Sequence, residues 1–123
     1  MKVLYLTAAA LLVATATASA QQLLDSYTAR LSAADHFNSN GARLTSAAAI
    51  IRQDRANLYV FGSQDPEDET DSFFDDKANR ARLERMLNRG AFSPSARRAI
   101  LNGTPLIHVE IYRDFINVYV ERD

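Results

Sequence analysis

Apolar and polar residues alternate most regularly near the C-terminal end of the chain. Ile107, Val109 and Ile111 alternate with His108, Glu110 and Tyr112, and Ile116, Val118 and Val120 alternate with Asn117, Tyr119 and Glu121. A period of two over branched aliphatics is the pattern of half-buried strands. If Arg113 and Asp114 form the connecting turn, Ile111 faces Ile116, Val109 faces Val118 and Ile107 faces Val120, and all six share one face. A slip of one residue would turn one apolar set to solvent, so the pattern specifies its own register. Arg-Asp lacks the Gly or Asn that tight hairpin turns favour, which leaves a four-residue loop open as the alternative.

A shorter alternation from Ser26 to Leu31 puts Tyr27, Ala29 and Leu31 on one side and predicts a further strand. Asp35, Asn38, Ser39, Asn40 and Gly41 then read as a loop, because their side chains compete for backbone hydrogen bonds. Thr45 or Ser46 can cap a helix running to about Val60, with Ala47, Ala48, Ile51, Leu58 and Tyr59 at helical spacing and Gly62 past its end. Arg55 lies on the same stripe as Ala48, Ile51 and Leu58, so its charge must find a partner or reach solvent.

After a polar connection over residues 63–70, Ser72 and Asp75 resemble a capping box, and a second helix is expected from Phe73 to Arg89, ended by Gly90 in a left-handed conformation. Its core-facing residues are Phe73 or Phe74, Leu83, Met86 and Leu87. Ser93 and Pro94 start a third helix, which Gly103 and Pro105 stop. A hairpin alone is barely stable in water, so helices must cover it and the N-terminal strand should extend it. The fold class expected is α+β: a small antiparallel sheet with about three helices on one face.

The first twenty residues change the picture of where the domain begins. Lys2 followed by the apolar run Val3 to Val13 is the length of a signal h-region and short of the roughly 20 residues of a spanning helix. Ala18, Ser19 and Ala20 offer a small-x-small cleavage site, so residues 1–20 are expected to leave as a signal peptide and residues 21–123 to fold as one domain, periplasmic or secreted. Cleavage removes only Lys2 among the charges, leaving thirteen basic and fifteen acidic residues. That balance is no electrostatic footprint for nucleic acid. The absence of cysteine removes disulfides, thiol catalysis and cysteine-type zinc sites, so stability rests on apolar burial. No cofactor is implied.

Four groups of residues could carry chemistry. Asp65, Glu67, Asp68, Glu69, Asp71, Asp75 and Asp76 place seven carboxylates in twelve residues, and Asp65, Glu67, Asp68 and Asp71 are the candidates for a calcium-responsive segment. As a calcium loop starting at Asp65, the segment has Thr70 where glycine makes the turn and Asp76 where a bidentate Glu belongs. The same carboxylates suit the positive end of the following helix, whose Arg80, Arg82, Arg85 and Arg89 lie toward the negative end. Those arginines, with Lys77, Arg97 and Arg98, spread over several faces and read as solvated surface.

His36 beside Asp35 is a candidate acid–base pair for a small hydrolase, with Asp54 as the other possible carboxylate, against a reading in which Asp35 shapes a turn. Arg52, Asp54 and Arg55 suggest a structural ion-pair cluster reaching Asp35 or Glu110. His108, Glu110, Tyr112 and Tyr119, with Phe115, occupy the outer hairpin face, which serves as a binding platform for peptide or sugar if nothing covers it. With no nucleophile elbow, phosphate loop or zincin helix, the leading expectation is a non-enzymatic binding or envelope-associated protein. Its partner would be an envelope component or another protein, and a homodimer contact through the same face is an alternative.

Overall fold

The computed structural model describes residues 21–122, so the expected signal segment lies outside the described residues. Strand β1 (Asp25–Arg30) leads into a 3-10 turn (Ala33–His36) and helix α1 (Ala47–Tyr59). Helices α2 (Lys77–Ala81), α3 (Leu83–Arg89) and α4 (Pro94–Asn102) follow, and strands β2 (Leu106–Ile111) and β3 (Ile116–Val120) close the chain. The sheet is antiparallel in the order β1-β2-β3, giving the α+β layer that the alternation implies.

The hairpin register is the expected one, with Ile111 opposite Ile116, Val109 opposite Val118 and Ile107 opposite Val120. Tyr112 N–H donates to the Phe115 carbonyl at 2.9 Å, so Arg113 and Asp114 alone make the turn. Among the described residues only Gly41 and Gly62 have positive φ, so this turn is not one of the mirror-image types that require it. The Tyr112 and Phe115 rings stack across it at 4.5 Å between centroids and 12° between planes. A cross-strand aromatic pair of this kind contributes on the order of 0.5–1.5 kcal/mol and offsets the poor turn sequence.

β1 pairs with β2 along its whole length and turns Tyr27 and Ala29 to the inner face, where they join Ile107, Val109, Ile111, Ile116 and Val118. Helices α1, α3 and α4 supply the other half of that core through Ile50, Ile51, Leu83, Met86, Leu87 and Ile100. Ser46 caps α1 by accepting from Ala49 N–H at 3.1 Å, and Ser93 caps α4 through Ala96 N–H with Pro94 in the first turn.

The single helix expected from Phe73 to Arg89 starts later, because other acceptors take its first donors, and it is divided at Arg82. Ser72 does not cap it: its N–H and Oγ–H donate to Asp25 Oδ2. Asp71 instead receives the N–H groups of Phe73 and Phe74, closing a tight turn before the helix. Asp76 is the cap of α2, accepting from Ala78 and Asn79. Arg80, expected on the solvated surface, is buried with its guanidinium on the Phe74 and Asp75 carbonyls. At Arg82 the hydrogen bonding tightens to Asn79 O, and α3 begins there.

Gly90 ends α3 as expected but for a different reason. Its backbone is extended, at φ −103°. A Cβ there would lie 1.7 Å from the Ile116 carbonyl oxygen, so glycine is required by the closeness of the α3 end to β3.

Candidate functional site

The two faces of the sheet differ in what covers them. On the inner face every strand side chain from Tyr27 to Val118 is at most 1% exposed. On the outer face Ser26, Thr28, Arg30, His108, Glu110, Tyr112, Phe115 and Asn117 are all partly exposed, and Tyr119 is 44% exposed. Among the described residues the helices pack on one side only, and the other side is left open.

The register orders that surface in rows. Thr28, His108 and Tyr119 lie side by side across the three strands, with Thr28 Oγ1 3.2 Å from His108 Nδ1. The next row is Ser26, Glu110 and Asn117, in which Asn117 Nδ2 donates to Glu110 Oε1 at 3.3 Å. Asn117 Oδ1 accepts from Ala91 N–H at 2.7 Å, which fixes which way the amide points. The stacked Tyr112 and Phe115 rings close the hairpin end. Partial loss of hydration and the neighbouring Glu110 push the Tyr119 hydroxyl pKa up. His108, Glu110, Tyr112 and Tyr119 therefore stand on one surface. Thr28 and Asn117 belong with them; alternation along β3 already put Asn117 on this face, while only the β1–β2 register could have placed Thr28 there.

A second cluster lies in the interior. Arg55, fully buried on α1, has its Nε donating to Asp54 Oδ2 at 2.9 Å and its Nη1 donating to Asp71 Oδ1 at 3.1 Å and to the Glu69 carbonyl at 2.9 Å. Its Nη2 is 2.9 Å from Asp54 Oδ2 as an ionic contact without hydrogen-bond alignment. The guanidinium also lies over the Tyr27 ring at 3.7 Å from the centroid. Tyr59 O–H reaches Asp71 Oδ1 and the Asp71 carbonyl, each at 2.7 Å.

The partner of Arg55 beyond Asp54 is thus Asp71, where Asp35 or Glu110 was expected. Arg52 is exposed and makes no ion pair among the described residues. One guanidinium faces two carboxyls, and burial pushes the Asp54 pKa up to about 8 against the pull of Arg55. Burial, together with Asp71, pushes the Tyr59 pKa up to about 12. The cluster ties α1 to the acidic segment and is closed to solvent.

The acidic segment itself runs along the outer edge of β1. Glu69 N–H donates to Thr28 O at 2.8 Å, Thr28 N–H donates to Glu69 Oε1 at 2.7 Å, and Arg30 N–H donates to Asp68 Oδ1 at 2.8 Å. Asp68 Oδ2 also accepts from Asp65 N–H at 2.8 Å, and Glu67 is 3.6 Å from the Arg30 guanidinium. Carboxylates here serve as acceptors for strand donors that would otherwise face water. Burial pushes the Asp68 pKa up, while the Ser72 backbone N–H holds that of Asp25 down. Glu67, Asp68 and Asp71 point to different partners, and no three Asp, Glu or His side chains among the described residues, Asp65 included, converge to hold a metal.

His36 and Asp35 are both buried and both committed to local structure. Asp35 Oδ2 accepts from Ser32 N–H at 2.9 Å, and its Oδ1 accepts from Asn57 Nδ2 at 2.8 Å. The two ring nitrogens of His36 each lie 2.8 Å from a main-chain carbonyl oxygen, of Ser32 and of Ile100. The ring thereby joins the 3-10 turn to the last turn of α4. Neither family models, curated proteins nor solved structures provide a match to this chain.

Proposed function

We propose that the chain matures into an exported, non-enzymatic binding protein of the periplasm or extracellular space, and that the open face of its sheet contacts a short oligosaccharide of the envelope. The observation that carries this reading is the contrast between an inner face that is dry from Tyr27 to Val118 and an outer face whose residues all stay partly exposed. Tyr112, Phe115 and Tyr119 supply apolar surface for the C–H faces of sugar rings. Thr28, His108, Glu110 and Asn117 supply donors and acceptors at strand spacing for hydroxyl groups.

The size of the face supports a small ligand. Three strands of five or six residues make a surface roughly 10 Å by 20 Å. A stable protein–protein interface needs about 800 Å² from each partner. The site holds no activated nucleophile, and the buried His36 with Asp35 is occupied by its own backbone contacts.

Calorimetric titration of the protein with envelope oligosaccharides tests the proposal. Binding is expected for the wild type, with a loss of at least about tenfold in affinity for the Tyr112→Ala, Tyr119→Ala double variant. Equal affinity in the two proteins would contradict it.

A further inference from the structure

The two edges of the sheet are finished differently. Along β1 the donors of Thr28 and Arg30 are taken by Glu69 and Asp68, and the Thr28 carbonyl by Glu69 N–H, so this edge is closed. Along β3, Val118 N–H is taken by the Ala91 carbonyl at 3.0 Å. Because Val118 N–H points away from β2, the N–H and C=O of Val120, two residues on, point the same way. The bond from Glu121 N–H to Leu106 O at 2.8 Å agrees, since alternate residues must face β2. Among the described residues nothing pairs with the outward groups of Val120. The side chains beside them, Val120 and Tyr119, are 36% and 44% exposed. A groove of about 490 Å³ runs along this edge, walled by Phe92, Ala96 and Ala99 of the α4 side.

We infer that this edge pairs with the same edge of a second copy of the chain, antiparallel about a twofold axis at Val120. Unpaired strand groups are a template for another strand. Their arrangement here is self-complementary. With Val120 opposite Val120 of the partner subunit, the two exchange both N–H to carbonyl bonds. Shifting the axis to Glu121 sets Glu121 against Glu121 of the partner subunit, like charges directly opposed. Shifting it to Tyr119 requires the Val118 N–H that Ala91 already holds. The groove accepts the inward side chains of the incoming strand. Because the β1 edge is sealed by Asp68 and Glu69, pairing stops at two copies and cannot propagate into a fibre.

The contact is small beside a standard interface, so it is a weak, concentration-dependent dimer. It is independent of the oligosaccharide reading and would stand if no sugar bound. Sedimentation velocity on the purified protein up to about 1 mM, the regime of weak complexes, reads it directly. The expected result is a reversible dimer. Val120→Pro removes the central donor, which the protomer does not use, and should weaken association at least about tenfold while the thermal melt of the monomer is kept. If that variant fails to fold, Val120→Lys replaces it. In a chain without cysteine, Val120→Cys should form a disulfide dimer in air, since paired residues at this register lie about 5.5 Å apart between Cα atoms. Tyr112→Cys, away from the edge, should not. A monomer at every concentration, a dimer indifferent to both Val120→Pro and Val120→Lys, or cross-linking no faster at Val120 than at Tyr112 would overturn the inference.

Discussion

Arg55 concentrates the costs of this fold in one side chain. A guanidinium buried on an apolar helix stripe carries a large desolvation cost; Asp54, Asp71 and the Glu69 carbonyl accept from its Nε and Nη1, while Nη2 has only its ionic contact with Asp54. The neighbouring Tyr27 contributes its ring face to Arg55, but its hydroxyl is buried without a hydrogen-bond partner among the described residues. Tyr27→Phe keeps the ring and deletes the unpaired hydroxyl, so chemical denaturation should show stability unchanged or raised by about 1 kcal/mol. A clear loss would mean that the hydroxyl has a partner.

Asp54 has the opposite signature from an ordinary surface carboxylate. Its folded pKa, about 8, exceeds the ordinary value of 3.8, so between those pH values the folded state holds a proton that the unfolded state has released. Its contribution is therefore complete below about pH 4 and is lost as pH rises toward 8. Stability measured by denaturation across that range should fall with rising pH, and Asp54→Asn should flatten the slope. An unchanged slope would assign the dependence elsewhere. The sequence located Arg55 on the core stripe and so required a partner. It did not reveal Asp71, sixteen positions away, because the turn that returns the acidic segment to α1 is set by tertiary contacts.

At the scale of elements, local pattern was sufficient wherever it was long and regular. The β2–β3 register followed from alternation alone, since only one alignment puts all six branched residues on one face. The late start of the second helix was not legible. Ser72 offers the right cap chemistry, yet Asp25 competes for its donors and Asp71 claims the next two N–H groups. Gly90 shows the same limit: the glycine marks the helix end in sequence, but its cause is the Ile116 carbonyl on a strand far along the chain. Gly90→Ala should lower stability by at least about 1–3 kcal/mol, the usual cost of forcing an atom into a filled site. Gly103→Ala meets its nearest atom at 3.3 Å and should cost less. Equal melting temperatures for the two variants would remove the close-packing explanation.

Across the whole molecule, a one-layer set of helices on a three-stranded sheet leaves one face and two edges to be dealt with. The acidic segment closes the first edge, which gives its clustered carboxylates a role in the fold: Glu69 and Asp68 are acceptors for a strand that would otherwise lack neighbours on that side. The hairpin's outer residues were visible in the sequence as the complement of the buried set. Their assembly with Thr28 required β1 to pair with β2.

Chemical-shift mapping by nuclear magnetic resonance during titration with envelope oligosaccharides tests the open face most directly. Perturbation is expected to concentrate at Thr28, His108, Glu110, Tyr112, Asn117 and Tyr119, with the helix amides of α1 unmoved. Shifts confined to the helical side, or none on the sheet at saturating sugar, would contradict it.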